Sequence, residues 1–98
     1  MTLAIGIDPG TATTGYGLVR LAPDGELVAV KYGVILTPKD ISAPARLELI
    51  YTDLRRLIKK YKPDYAAVEK LFFSRNVTTA IAVGQARGVI MLALQQAG

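Results

Sequence analysis

The chain has 98 residues, of which 51% are hydrophobic and 20% are charged, a composition typical of one packed globular domain rather than a disordered segment. It contains no cysteine and no histidine, which excludes disulfides, thiolate or imidazole metal ligands and the commonest general base. Any metal site must therefore use oxygen ligands. The net charge of +4 is compatible with a polyanionic partner but does not identify one.

No part of the sequence is typical of a membrane span or a secretion signal. The longest apolar run near the carboxyl end, residues 89–94, is far shorter than the roughly 20 residues that cross a bilayer. The amino terminus has no basic region before its apolar segment. We therefore expect a cytoplasmic protein that does not associate with membranes.

The first part of the chain predicts three antiparallel strands. Residues 3–7 form a short apolar segment that ends at Asp8, and Pro9-Gly10 then predicts a tight turn. Residues 14–21 and 27–36 are rich in residues that favour strands, and a second turn at residues 23–25 separates them. Strands joined by such short turns pair antiparallel.

A change of hydrophobic period predicts a helix over about residues 43–61. Ser42 and Pro44 are helix start signals, and basic residues near position 60 favour its end. One helical face carries the apolar side chains Leu47, Ile50, Leu54, Leu57, Ile58 and Tyr61.

Residues 65–68 then predict a fourth strand, which ends at Glu69. A strand that follows a crossover helix is most simply parallel to an earlier strand, and the first strand is the natural neighbour. The predicted fold class is therefore α/β, with a mixed sheet.

The last segment, residues 76–96, has helical propensity but is apolar on nearly every side. One face packed on a sheet cannot bury all of this surface, and Gly84 and Gly88 leave room for another backbone to come close. We therefore expect a second partner surface on this helix, around residues 77–97. Because no further strand follows it, we expect a single domain over residues 1–98 that is incomplete at the carboxyl end.

Asp8 and Glu69 each follow the carboxyl end of a predicted strand, where open α/β sheets usually place their ligands. If the two strands are adjacent and parallel, the carboxylates meet beside the small residues Ala4 and Gly6. Two hard oxygen ligands suit Mg²⁺, which can polarise a phosphodiester and help to generate hydroxide. Taken alone, either acid could equally be a turn initiator or a solvated strand end.

Basic and aromatic side chains follow Glu69 directly. Lys70 and Arg75 could hold phosphates, and an exposed phenylalanine could enter a base stack, although Phe72 and Phe73 could instead pack inward. Gln85 and Arg87 on the last helix could contact DNA or a partner subunit, or could simply be exposed. The candidate DNA-binding residues are Lys70, Phe72, Phe73, Arg75, Asn76, Gln85 and Arg87.

Four segments, in this order and at this spacing, make the chain resemble the RuvC family of bacterial Holliday junction resolvases. They are Gly6-Ile7-Asp8-Pro9-Gly10, Thr14-Gly15-Tyr16-Gly17, Pro63-Asp64-Tyr65 with the following Glu69, and Gly84-Gln85-Ala86-Arg87-Gly88. The resemblance implies a ribonuclease H-like fold, a homodimer, and Mg²⁺-dependent nicking of opposing strands at a four-way DNA junction, with Mn²⁺ as a substitute ion. It also implies branch-migration motor proteins as partners.

The resemblance assigns roles to particular residues. Asp8 and Glu69 match two of the family's catalytic acids, and Phe72 is the residue that the resemblance favours as the wedge at the junction. The family's remaining acids, a closely spaced pair of aspartates on a carboxyl-terminal helix, have no counterpart in residues 1–98. The resemblance therefore implies an amino-terminal part of the nuclease domain, with impaired or no activity by itself.

Three other functions stay open at this point. Actin-like sugar kinases and chaperone ATPases hold phosphates with a similar Asp-x-Gly-Thr turn, although those folds need two large lobes. A related nuclease of the same fold acts on ribosomal RNA precursors, but Tyr16, Phe72-Phe73 and the Gln-Ala-Arg-Gly run favour the resolvase. The chain could also be a non-catalytic module that dimerises or binds DNA shape.

Overall fold

The computed structural model describes residues 2–10, 12–69 and 77–98. The elements follow one another as β1 (Leu3–Asp8), β2 (Thr13–Leu21), β3 (Leu27–Leu36), α1 (Ala43–Tyr61), β4 (Tyr65–Val68) and α2 (Val77–Ala97). The strands form one sheet in the order β3-β2-β1-β4. β1 pairs antiparallel with β2 and parallel with β4, and β2 pairs antiparallel with β3. The predicted mixed sheet, crossover helix and final helix are therefore confirmed.

α1 begins and ends at signals that are present in the sequence. The hydroxyl of Ser42 caps its amino end by accepting a hydrogen bond of 3.3 Å from the N–H of Ala45. At the other end Lys62 adopts the left-handed conformation, with φ 49°, and its N–H donates to the carbonyl of Ile58. These caps satisfy backbone groups that a helix end leaves unpaired, so the chain passes from α1 to β4 in a short, defined connection.

Both helices lie on one face of the sheet and form the core with it. Along β1 the side chains of Ile5 and Ile7 are buried there, whereas the alternating Gly6 and Asp8 are exposed on the opposite face. That opposite face has no helix over it among the described residues. The buried core side chains are Ile5, Ile7, Leu18, Ile35, Ile50, Leu54, Ala86, Ile90 and Ala93.

α2 buries one side against the sheet and α1 and exposes the other. Ala86, Ile90 and Ala93 are buried, while Ile81 and Leu92 are 59% and 51% exposed. The outcome agrees with the expectation that one packed face cannot bury an all-round apolar helix. None of the helices in the described part of the chain has the length and hydropathy of a membrane span.

Candidate active site

The two predicted acids lie at neighbouring strand ends. β1 and β4 run parallel, with Gly6 opposite Ala67 and Ile7 opposite Val68. The N–H of Glu69 continues this pairing, because it donates to the carbonyl of Ile7 over 2.9 Å. Since paired residues of adjacent strands share a face, Asp8 and Glu69 both project from the open face of the sheet.

The carboxyl groups of Asp8 and Glu69 lie side by side at these strand ends. A side-chain hydrogen bond to Asp8, then charge repulsion from it and lastly a loss of hydration raise the pKa of Glu69 above its ordinary value. Two carboxylates this close repel each other, and a nearby cation removes that cost. A divalent cation would therefore favour the ionised pair. The predicted meeting of the two acids is confirmed.

The acid pair borders an open depression of about 470 Å³. A Cβ atom added at Gly6 or Gly17 would meet no other atom within 4 Å, and one added at Gly15 would lie 3.7 Å from the Cβ of Asp8. The small residues of this face therefore leave open space beside the acid pair. The lining residues are Gly6, Ile7, Asp8, Gly15, Tyr16, Gly17, Ala67, Val68 and Glu69.

The turn after Asp8 is held by Thr14, whose side chain is buried in β2. Its hydroxyl donates to the carbonyl of Gly10 over 2.8 Å and accepts from the N–H of Gly10 over 3.4 Å. A Cβ at Gly10 would overlap the carbonyl oxygen of Thr13, so this close approach requires glycine. The sequence identified the turn but not the hydroxyl; a threonine at a core-facing strand position beside a turn is the signal that could have found it.

Arg87 contacts the backbone of Glu69. Its Nε donates to the carbonyl of Glu69 over 3.3 Å, and its guanidinium also donates to the Sδ of Met91 over 3.1 Å. The sequence indicated Arg87 as a DNA or partner contact and missed this role. No local pattern could have shown it, because the two residues are 18 positions apart.

The other predicted DNA-binding residues are not gathered at the acid pair by the described structure. Gln85 is exposed on α2, and helical spacing places it on the same side as Ile81 and Leu92. Five predicted residues lie outside the described ranges, namely Lys70, Phe72, Phe73, Arg75 and Asn76.

A larger cavity, of about 890 Å³, lies at the opposite end of β4, between α1 and α2. Among the described residues, Asp64 is the one acidic side chain that lines this cavity, and it already accepts a hydrogen bond of 2.9 Å from the N–H of Leu3. The basic side chains of Arg55, Lys59 and Lys62 also line the cavity. Across the part of the chain that the structure describes, no group of three or more His, Cys, Asp or Glu side chains could hold a metal. The pair at the tips of β1 and β4 is therefore the better candidate for metal chemistry.

Comparison with known proteins points to one family. A sequence model of the family described as "Crossover junction endodeoxyribonuclease RuvC" matches residues 4–98. The crossover junction endodeoxyribonuclease RuvC of Heliobacterium modesticaldum is 54% identical over 94 residues, which are 96% of this chain and 57% of that protein. The chain thus spans less than two thirds of the length of this relative.

Solved structures agree with the sequence comparison. The structure of T. thermophilus RuvC in complex with Holliday junction substrate has a TM-score of 0.89 and 28% identity, over 100% of this chain and 60% of that one. The yeast mitochondrial Holliday junction resolvase has a TM-score of 0.73 over 95% of this chain and 43% of that one; at 14% identity this likeness concerns the fold alone. The predicted ribonuclease H-like fold is confirmed.

Proposed function

The chain belongs to the crossover junction endodeoxyribonuclease RuvC family, and on this basis we propose that it is the amino-terminal part of a nuclease domain that resolves four-way DNA junctions. The observation that carries the proposal is that Asp8 and Glu69 lie side by side at the ends of neighbouring parallel strands. Family membership indicates the class of reaction, and the acid pair beside an open depression indicates where hydrolysis of the phosphodiester would take place.

The residues around the acid pair fit Mg²⁺. Asp8 and Glu69 provide hard carboxylate oxygens, which this ion prefers, and the glycines beside them leave room for its water ligands. We propose that these two acids hold Mg²⁺ and that Mn²⁺ can take its place. When bound, such an ion supplies Lewis-acid polarisation of a phosphate and a lowered pKa for a water molecule.

The chain's own residues have distinct tasks in this scheme. Asp8 and Glu69 would hold the ion through two carboxylate groups. The hydroxyl of Thr14 fixes the turn that follows Asp8. The small residues of the open face admit the phosphate and its neighbouring sugar without steric hindrance.

We propose that the segment after Glu69 contacts the junction. Lys70 and Arg75 would hold phosphates, and Phe72 would enter the base stack at the junction centre, where bases are already partly unstacked. The support is the position of this segment directly after a proposed metal ligand, together with the Holliday junction substrate bound to the Thermus relative. Phe73 and Asn76 are further candidates on the same grounds, and Gln85 is a candidate as an exposed polar side chain of α2.

We also propose a homodimer through α2. Ile81, Gly88 and Leu92 are exposed and fall on one strip of the helix, opposite the buried Ile90. A two-fold interface would bury this strip against its own copy, and the paired subunits would supply the two cuts. A partnership with branch-migration motor proteins, which the family implies, stays a prediction.

Leu92→Glu should convert the dimer into a monomer, because it places a charge at the centre of the apolar strip. Sedimentation equilibrium of the wild-type and variant chains measures this directly. Leu27→Glu is the matched control, since Leu27 is 72% exposed on β3, away from α2. A monomeric wild-type chain, or a dimer that survives Leu92→Glu, would contradict the proposed interface.

The function is tested by joining the chain to the carboxyl-terminal region of the Heliobacterium relative and measuring Mg²⁺-dependent nicking of a four-way junction. A linear duplex of the same sequence serves as the reference substrate. Asp8→Asn and Glu69→Gln should each lower kcat about a hundredfold or more, because loss of one charged ligand removes several kcal/mol of charge stabilisation.

Asp40→Asn and Glu48→Gln remove exposed acids in a turn and on α1 and should leave the nicking rate unchanged. Robust cutting by Asp8→Asn would defeat the assignment of the acid pair. Preference for structured RNA over junctions would favour the related RNA nuclease, and saturable ATP binding would favour an actin-like phosphotransferase. Junction binding without any cleavage would indicate a non-catalytic module.

A further inference from the structure

Arg87 lies between α2 and the end of β4, and its guanidinium is engaged within the chain. Its Nε donates to the carbonyl of Glu69, and a second nitrogen donates to the Sδ of Met91. From these contacts we infer that Arg87 is a positioning residue, which holds the main chain of Glu69 so that its carboxyl group stays beside Asp8. The catalytic consequence of this inference rests on the proposed function, whereas its structural consequence does not.

The two backbone hydrogen bonds of Glu69 explain how this positioning works. Its N–H donates to the carbonyl of Ile7 over 2.9 Å, which fixes the peptide plane before its Cα. Its carbonyl accepts from Arg87, which fixes the peptide plane after its Cα. Together the two bonds restrict both backbone dihedrals, and thereby the direction of the Cα–Cβ bond and of the carboxyl group.

Among the described residues, the hydrogen bond that holds the backbone of Glu69 without Arg87 is the one from its N–H to Ile7. β4 is four residues long, so its end has little further pairing to keep the last residue in register. A metal ligand pair needs its oxygens held to within about 0.5 Å of the productive arrangement. A freely rotating carbonyl at Glu69 would allow its carboxyl group to move away from Asp8 by more than that.

Met91 orients the guanidinium for this contact. It lies one helical turn after Arg87 on α2, so the two side chains are neighbours on the helix surface. Because the guanidinium is planar and its donors have fixed directions, the bond to the sulfur holds the plane in which Nε meets the carbonyl. A lysine carries the same charge but lacks this geometry, so Arg87→Lys separates charge from positioning.

A direct contact with a DNA phosphate is the competing role for Arg87, and it has different consequences. Loss of a phosphate contact weakens junction binding and lowers the slope of log affinity against log salt by about one. It leaves the arrangement of Asp8 and Glu69 unchanged. Loss of a positioning contact should instead disturb the arrangement of Asp8 and Glu69, and it should leave junction affinity and its salt slope unchanged.

The first test uses the 98-residue chain without metal or DNA. NMR cross-relaxation between the side-chain protons of Asp8 and Glu69 is compared in wild type, Arg87→Met, Arg87→Lys and Arg56→Met. Arg56 is the matched control, because its side chain is 79% exposed and makes a 3.5 Å ion pair with Asp53 on α1. The cross-peaks should weaken severalfold in both Arg87 variants and persist in Arg56→Met. Undiminished cross-peaks in folded Arg87→Lys would overturn the inference.

The second test measures Mn²⁺ affinity by electron paramagnetic resonance in the same set of chains. Arg87→Met should bind Mn²⁺ about tenfold or more weakly, since loss of a group that orients a metal ligand costs about 10- to 100-fold. Junction affinity without divalent metal, measured in the chimera with the Heliobacterium region, should stay within about twofold of wild type with an unchanged salt slope.

The outcomes separate the positioning role from the proposed function. A lower junction affinity and salt slope, with Mn²⁺ affinity and cross-peaks preserved, would make Arg87 a phosphate contact and the inference wrong. A wild-type chain that binds no Mn²⁺, or a chimera that does not cut, would count against the proposed function. The cross-peak comparison would still decide the role of Arg87, because it needs neither metal nor DNA.

Discussion

The two faces of β1 have different roles, one in the core and one at the acid pair. Ile5 and Ile7, which are 1% and 4% exposed, face the helices, whereas the alternating Gly6 and Asp8 face the open side of the sheet. On the helix side a residue must be large and apolar to fill the core. On the open side the residues are small or acidic, and they leave space and negative charge accessible to a ligand.

The same division continues across the hydrogen bonds into β2. Leu18 lies opposite Ile5 and is buried, while Gly15 lies opposite Asp8 on the open face. Register therefore keeps the two sets of residues apart over both strands. Fold and site are therefore specified by alternating positions, so that substitutions on one face should change stability and substitutions on the other should change chemistry.

The largest expected effect is on the core side. Ile5→Ala should lower the free energy of unfolding by about 3 kcal/mol, because it removes a fully buried side chain and leaves a cavity. Urea unfolding followed by circular dichroism measures the change. Leu36→Ala, a truncation of the same size at a 65% exposed position of β3, should cost less than about 1 kcal/mol. Equal losses at the two positions would show that the cluster around Ile5 is not the core that stabilises the chain.

A smaller and opposite effect is expected on the open side. Gly15→Val should keep or raise stability, because valine favours strands and the face is open, yet its side chain would stand in contact with Asp8. We expect Mn²⁺ affinity to fall about tenfold, since the substituent occupies space that the ion's water ligands need. Ala29→Val, at an exposed position of β3, is the matched control. Isothermal titration calorimetry measures the Mn²⁺ affinities. Wild-type affinity in both variants would contradict the separation of stability from metal binding.

Much of the fold could be predicted because it depends on local pattern. The strand ends, the cap at Ser42 and the helical period around Ile50 are read from neighbouring residues, and the structure places them where the sequence predicted. The meeting of Asp8 and Glu69 was also predictable, because a strand after a crossover helix pairs in parallel with an earlier strand and brings its end to the same edge.

The supporting contacts of the site could not be predicted in this way. The bond from Arg87 to Glu69 depends on how α2 lies relative to β4, and this is set by the packing of Ala86 and Ile90 rather than by any spacing around Arg87. The hydroxyl of Thr14 could have been noticed as a polar group at a core-facing position, but its partner, Gly10, follows only from the path of the turn.

The smallest expected effect concerns the pH dependence of the acid pair. Because Asp8 raises the pKa of Glu69, the folded chain holds this proton more tightly than the unfolded chain does. The pair therefore favours folding in acid, and that contribution is lost as the pH rises from the unfolded pKa of Glu69 through its raised folded value. Asp8→Asn removes the carboxyl group whose hydrogen bond and charge raise the pKa of Glu69, so this pKa should return toward its ordinary value and the loss of stability should shrink. The ¹³Cδ shift of Glu69 against pH measures the change, with Asp40→Asn as the control. An identical titration of Glu69 in wild type and Asp8→Asn would mean that the two carboxyl groups do not touch in solution, and the proposed metal site would lose the observation on which it depends.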